Sequence, residues 1–394
     1  MVEFLPALAV LPLLLPAFSL LVLTLAALRH PVTAPVADGL PDARVAVLIP
    51  AHNESTHVLP TIACIRAQLR PGDRVLVVAD NCTDDTAALA RGAGALVIER
   101  SNAQLRGKGY ALAFGVDHLR ADPPDVVLVV DADCVVSDGG VAAIGRACAH
   151  AGKPVQMLDL MTAGAGAGLK LRVLEFAMVM KNLVRPLGSF RLGRACHLMG
   201  TGMALPWALI STAQLATGHI TEDMKLGVEL TKAGHAPQFM TQARVTSPFV
   251  QDTGVARVQK SRWEHGHLAT LREELPGLVG AALRTRDPAL VVLAMDLMIP
   301  PVAFYFLLLA GLGVAAVVAA WLAPFFHLAA AVVGAGILAF ALAIGLAWLR
   351  YGRDLLSARE LLGLPLYAVW KLPVYVAFFV GRRSGWTRTK RGPH

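Results

Sequence analysis

The chain has 394 residues, 55% of them hydrophobic and only 16% charged, with 36 Lys and Arg against 28 Asp and Glu for a formal charge of +8. That is too apolar for one ordinary soluble domain, and the basic residues are not gathered into an aromatic-interleaved stretch, which argues against nucleic acid as a partner. The five cysteines, Cys64, Cys82, Cys134, Cys148 and Cys196, show no CxxC spacing, so they indicate neither a zinc site nor a disulfide scaffold and suit a reducing compartment.

The apolar excess lies at the two ends. Phe4–Leu28 carries no charged residue and is long enough to span a bilayer, which takes ~20 residues. Its apolar core exceeds that of a secretory signal and no Lys or Arg precedes it, so it reads as a retained anchor. Arg29 lies on its far side and Glu3 on the near side. The positive-inside rule then puts the N-terminus outside and the following domain in the cytoplasm. His30 to Pro41, with prolines at 31, 35 and 41, reads as a linker. The expected division is 1–41 for anchor and linker, 42–287 for a globular domain with its own core, and 288–394 for a second membrane region.

The middle domain opens with Arg44-Val-Ala-Val-Leu-Ile-Pro-Ala-His-Asn-Glu54, a strand that Pro50 is expected to stop. Thr56–Leu69 has helical spacing of apolar residues. Arg74–Asp84 is a second strand ending in an acid, and Thr83 or Asp84 can cap the helix after it. Ala95–Glu99 is a third strand, and Arg106-Gly-Lys-Gly-Tyr110 is a glycine-flanked turn entering a helix. Val126–Cys134 follows, a β-branched run that ends in Asp131 and Asp133. This alternation implies a doubly wound, mostly parallel sheet, whose ligands bind at the carboxyl ends of its strands. An isolated Asp-x-Asp is more often a pair of solvated turn acids. Here Glu54, Asp80, Asp131 and Asp133 recur at successive strand tips and point to one rim. Two acids one residue apart can converge on a hard divalent cation, which commonly bridges a diphosphate.

Ala167–Leu187 is apolar but punctuated by Lys170, Arg172, Glu175, Lys181 and Arg185, as in a helix lying at a membrane surface, although a core helix fits nearly as well. Thr221-Glu-Asp223 precedes a helical run over Met224–Leu230. Thr221 can cap that helix, and its N-terminus would hold Asp223 ionised. His265 and His267 lack the i, i+4 spacing of helical metal ligands, so no zinc is expected there. Pro288–Leu349 has room for two spans with a connection near Trp321–Phe326. Leu361–Val380 carries Lys371 near its centre and is followed by a basic tail. A re-entrant or interfacial hairpin with the tail inside is expected there.

Seven short motifs occur in a fixed order: Ile49-Pro-Ala-His-Asn-Glu54, Ala79-Asp-Asn-Cys-Thr-Asp-Asp-Thr86, Gly107-Lys-Gly109, Asp131-Ala-Asp133, Gly200-Thr-Gly202, Thr221-Glu-Asp223 and Gln259-Lys-Ser-Arg-Trp263. In this order the chain resembles the family 2 glycosyltransferases, and more closely their membrane-integrated branch of cellulose, hyaluronan, chitin-oligosaccharide and poly-N-acetylglucosamine synthases. The resemblance implies a GT-A-like catalytic domain and an inverting, metal-dependent transfer from a nucleotide sugar, UDP-linked, at a bacterial-type inner membrane. The acceptor would be a growing cell-surface polysaccharide or its lipid-linked precursor. Single transfer to a membrane lipid such as a polyprenyl phosphate or a ceramide-like lipid is the alternative, and an inactive membrane scaffold is the alternative of another class. The resemblance assigns Glu54 and Asp80 to the nucleoside, Lys108 to the diphosphate, and Asp131 and Asp133 to Mg2+ or Mn2+. Asp223 would be the general base and Gly200, Thr201 and Gly202 the wall beside the acceptor. On a helix, Gln259, Arg262 and Trp263 would share one face toward phosphate and sugar. Where the family often has two adjacent acids, this chain has Ala79 before Asp80.

Overall fold

A computed structural model of the chain describes residues 3–29, 40–164, 166–249 and 253–364. The chain divides into two compact units, one of residues 40–164 and 194–249, the other of residues 3–29, 166–193 and 253–364 among those described.

The first unit is built on one eight-stranded sheet: β1 (Val45–Ala51), β2 (Arg74–Asp80), β3 (Leu96–Arg100), β4 (Val126–Val129), β5 (Val135–Val136), β6 (Val155–Thr162), β7 (Met203–Pro206) and β8 (Gln238–Pro248). Their order across the sheet is β3-β2-β1-β4-β7-β6-β8-β5. The half made of β3, β2, β1 and β4 is parallel, as the alternation of strand and helix requires. The mixed half enters through β7, antiparallel to β4 and β6, and through β5, antiparallel to β8. β1 shows why the parallel half reads as an unbroken apolar run. Val45, Val47 and Ile49 enter one core with Ile62, Ile65 and Ile144, while Ala46 and Leu48 enter another with Leu112 and Val116. With period-two alternation and both faces covered by helices, every residue from 45 to 49 is fully buried. Each large side chain so buried contributes ~1.5–3 kcal/mol of transfer free energy.

Pro50 does not stop β1, which runs one residue further and pairs Pro50 with Val78. Leu48 accepts from the Val130 N–H, so the alternate residue Pro50 turns its missing donor to the same side. The last β1–β4 pair is Leu48 with Val129, and no ladder bond is lost there. Thr221 holds the N-cap position of the Glu222–Lys232 helix, but its side chain does not cap it. The hydroxyl lies 3.2 Å from His219 Nδ1 instead. At the Thr86–Gly92 helix neither candidate holds the N-cap position, which falls to Asp85 without a side-chain capping bond; Asp84, one residue earlier, accepts from the N–H of Thr86 at 3.1 Å.

The second unit is helical: Phe4–Leu28, the Leu169–Gly193 segment, Thr253–Thr285, Pro288–Leu297, Val302–Leu322, His327–Ala347 and Ala358–Leu362. Among the described residues three helices, Phe4–Leu28, Val302–Leu322 and Pro324–Gly352, are long and apolar enough to cross a membrane. A 3-10 turn at Pro324–Phe326 joins the last two, where the sequence places its connection. Leu169–Gly193 is interrupted by a π-helical turn at Met180–Val184. Arg185, just after it, is buried and donates through Nε to Asp296 Oδ1 at 2.5 Å and through Nη2 to the Asp296 carbonyl at 2.7 Å. Burial of such a pair is tolerable only with its hydrogen bonds made. Tyr305 inserts its hydroxyl into the Phe4–Leu28 helix, accepting from the Ala17 N–H at 3.1 Å and donating to the Leu13 carbonyl at 2.9 Å. One hydroxyl thus engages both backbone groups of an i, i−4 pair. At Gly188 a β-carbon would collide with the Leu23 carbonyl oxygen, so only glycine lets these two backbones approach. Lys371 and all but the start of Leu361–Val380 lie outside the described residues.

Candidate active site

The tips of β1 and β2 are knitted together by their own side chains. Asn53 and Asn81, both at positive φ, turn the chain sharply after each strand. Asn53 Oδ1 accepts from the Thr83 N–H at 2.7 Å, and the Glu54 N–H donates to Thr86 Oγ1 at 2.9 Å. Glu54 Oε2 lies 3.3 Å from His57 Nδ1. Burial alone would raise the Asp84 carboxyl, but hydrogen bonds from Thr86 and Ser55 outweigh it and hold Asp84 below its ordinary value.

Asp80 is buried at the end of β2, directly across the ladder from Arg100. Its Oδ1 accepts from Arg100 Nη1 at 2.6 Å and from Asn81 Nδ2 at 3.0 Å. Both partners fall on one oxygen. Arg100 also donates to the Leu105 carbonyl at 2.7 Å, and its guanidinium stands 5.5 Å from the centre of the Tyr110 ring. It therefore ties the β2 tip to the turn that carries Lys108. Sequence reasoning missed Arg100 and Tyr110. The signal available was the register of parallel strands, which sets residue 100 opposite residue 80.

A second group gathers beside the end of β4. Lys108, first residue of the Lys108–Leu119 helix, is ion-paired with Asp131 and donates to the Gly200 carbonyl at 2.7 Å. Thr201 Oγ1 accepts the Asp131 N–H at 3.1 Å and lies 3.5 Å from Cys134 Sγ. Gly200 has φ +87, and a β-carbon there would stand 3.2 Å from Asp223 Oδ2 and 3.4 Å from Lys108 Nζ. A side chain at 200 would thus be strained by its backbone and would fill the space between acid and amine. Glu222 and Asp223 form the first turn of the Glu222–Lys232 helix. Burial, then the charge of Asp223, push the Glu222 carboxyl up to about 8. Burial would lower the Lys108 ammonium, yet Asp131, Glu222 and Asp223 together outweigh it and raise it. Lys108 is accordingly a fixed positive charge among three acids.

Of the residues singled out in the sequence, Lys108, Asp131, Gly200, Thr201 and Asp223 are brought together here. Glu54 and Asp80 stand at the neighbouring strand tips. Asp133 lies half-buried in the turn after β4. Gln259, Arg262 and Trp263 fall on the Thr253–Thr285 helix of the other unit, at spacing that shares a face, with Arg262 and Trp263 half-buried. Among the described residues no three His, Cys, Asp or Glu side chains gather closely enough to hold a metal ion.

A family model described as Glycosyltransferase like family 2 matches residues 41–266, more than half of the chain. No curated protein matches it. Among solved structures, the mannosyltransferase PcManGT from Pyrobaculum calidifontis, in complex with GDP-Man and Mn2+, is similar over 97% of this chain and 100% of its own, at 16% identity and a TM-score of 0.56. Mannosyl-3-phosphoglycerate synthase from Rubrobacter xylanophilus matches over 59% of this chain and 75% of its own, at 21% identity and a TM-score of 0.41. Glucosyl-3-phosphoglycerate synthase from Mycobacterium tuberculosis, in complex with Mn2+, UDP and glucosyl-3-phosphoglycerate, matches over 52% and 70%, at 22% identity and a TM-score of 0.35.

Proposed function

The chain belongs to glycosyltransferase family 2 and has a GT-A-like fold, and from that premise we propose that it moves a sugar from a UDP-linked donor to an acceptor at a membrane, with inversion at the transferred carbon. The observation that carries this reading is the cluster of Lys108, Asp131 and Asp223 around the bare backbone of Gly200. Glycosyl transfer needs the nucleoside gripped, the diphosphate leaving group neutralised, and the acceptor hydroxyl relieved of its proton in line with the anomeric carbon.

Asp80 is suited to the first task. Its Oδ1 is taken by Arg100 and Asn81, while Oδ2 has no protein hydrogen bond among the described residues and can accept from a ribose hydroxyl or a base N–H. Glu54, at the adjacent tip, shares this role. Lys108 stays protonated at working pH and faces the diphosphate, stabilising the charge that grows on it as the bond breaks. Asp223 is the general base. Its neighbour Glu222 keeps a proton near neutrality, so a single negative charge on this pair faces the acceptor hydroxyl. Gly200 leaves the acceptor room beside it, and we assign Thr201 and Gly202 to the wall of that space, although the bare α-carbon of Gly202 faces Met157 and Val245. Gln259, Arg262 and Trp263 lie inside the matched region, and we assign Arg262 to the phosphates and Trp263 and Gln259 to the sugar.

A divalent cation fits this rim. Asp131 and Asp133 present hard oxygen ligands on partly open side chains. With no third protein carboxylate or imidazole in reach to enclose it among the described residues, a cation there would share its shell with the donor's phosphate oxygens. When bound, Mg2+ or Mn2+ would supply Lewis-acid stabilisation of the leaving diphosphate.

The three membrane-length helices support a membrane-embedded enzyme with its catalytic unit on the cytoplasmic side. The acceptor we favour is a growing cell-surface polysaccharide or its lipid-linked precursor. Single transfer to a membrane lipid is the second reading, and the modest number of such helices among the described residues is what favours it. The test is a donor panel of UDP-glucose, UDP-N-acetylglucosamine, UDP-galactose and GDP-mannose, read by product mass. A UDP-sugar consumed with a lengthening product supports the first acceptor, one sugar on a lipid supports the second, and consumption of GDP-mannose alone overturns the donor assignment.

A further inference from the structure

Gln156 lies in β6 with no exposed surface, and nothing in the reaction above uses it. Its amide is engaged by the loop from Met199 to Gly202. Oε1 accepts the Met199 N–H at 2.9 Å. Nε2 donates to the Thr201 carbonyl at 2.8 Å, to that of Met157 at 2.9 Å and to that of Gly202 at 3.3 Å. The β6–β7 ladder consists of two pairs, Val155 with Ala204 and Gln156 with Met203. Past it, the Met157 N–H bonds the Gly202 carbonyl at 2.9 Å, and this side chain satisfies the Met199 N–H and the Thr201 carbonyl.

The loop so held makes the contacts that join the cluster. Gly200 offers its carbonyl to Lys108, Thr201 takes the N–H of Asp131, and the bare α-carbon of Gly200 faces Asp223 Oδ2. We propose that Gln156 is a positioning residue, which fixes the Met199–Gly202 loop and through it the mutual placement of Lys108, Asp131 and Asp223. The proposal rests on the reading of those three residues as the site of transfer. Only a primary amide presents an acceptor and two donors in one plane. A carboxylate of the same shape, while ionised, would turn oxygen toward three carbonyls. Protonated, it keeps one donor and one acceptor and can hold part of the loop. Gln156→Glu therefore introduces a titration that the native residue cannot have. Gln156→Met fills nearly the same volume and removes the polar contacts.

The test uses the purified full-length chain in detergent with Mn2+. Release of nucleoside diphosphate is measured on UDP-glucose, UDP-N-acetylglucosamine, UDP-galactose and GDP-mannose, and binding of UDP and GDP by calorimetry. In both variants the thermal transition should persist and nucleotide affinity should stay within about three-fold, while kcat falls by about ten-fold or more. In Gln156→Glu the loss should deepen as pH rises from about 6 to about 8.5, beyond any change in the native profile. Native kcat in both variants, a fall in nucleotide affinity equal to the fall in kcat, or a Glu variant whose deficit does not change with pH would each overturn the proposal. Failure of both variants to fold would also overturn it, by making Gln156 a folding residue. A native chain that releases nucleotide from none of the four donors would remove the reading of the site itself, and the proposal with it.

Discussion

At the scale of single residues, position within the cluster sets different expectations for neighbouring acids. Asp223 faces the space beside Gly200, where an acceptor hydroxyl would sit, and so Asp223→Asn should bind nucleotide nearly as the native chain does while losing about 100-fold or more in turnover. Calorimetry with UDP against turnover separates the two, and an equal loss in both would move Asp223 to the donor. Glu222 carries a different signature. Its carboxyl is raised from an ordinary 4.5 to about 8 by burial and then by Asp223, so the folded chain keeps a proton that the unfolded chain has lost. Stability from this group is complete below the unfolded value and is lost as pH rises through about 8. In EDTA, the native melting temperature should fall between about pH 5 and pH 8 relative to Glu222→Gln. Parallel curves across that window would contradict the assignment. The acids of the rim were legible because each follows an apolar run, and a carboxylate after a buried strand has few places to go but the rim. Arg100 and Gln156 were not. Arg100 acquires its meaning only from the register opposite Asp80, and Gln156 is one amide in an apolar strand whose partners lie in a loop some 45 residues on.

At the scale of elements, the parallel half of the sheet could be read from sequence because a strand buried on both faces has a continuous apolar pattern. The mixed half could not. β5 is two residues long, β7 is four, and β8 carries alternating exposed residues, so none gives a run that composition alone identifies. Pro50 misled for a related reason, since its cost depends on whether a neighbour waits for its N–H. In the helical unit the informative residue is small. Gly188 sits where a β-carbon would meet the Leu23 carbonyl. Gly188→Val should therefore destabilise the detergent-solubilised protein by ~1–3 kcal/mol or more, through forced separation of the two helices. An unchanged thermal transition would show that the helices do not approach so closely.

At the scale of the whole molecule, composition alone marked the two apolar ends, and the bounds of the first helix agree with the uncharged stretch Phe4–Leu28. How the spans are oriented is a separate matter, set by charge asymmetry at their ends. With the catalytic unit inside, the Pro324–Phe326 turn should face outward. A phosphatase reporter inserted there should be active, and one inserted at Arg286 silent; the reverse pattern would invert the topology.

We propose above all that this rim transfers sugar from a nucleotide donor with the help of a divalent cation held by Asp131 and Asp133. The most direct measurement is release of nucleoside diphosphate by the purified chain from the four-donor panel, in Mn2+ and in excess EDTA, beside Asp133→Asn. Because Asp133 is half-buried in the turn after β4 and asparagine keeps its shape and an accepting oxygen, the variant should keep its thermal transition. The native chain should release nucleoside diphosphate from a UDP-sugar, and EDTA or Asp133→Asn should abolish that release. Undiminished release in EDTA or by Asp133→Asn, or no release from any donor, would contradict the proposal.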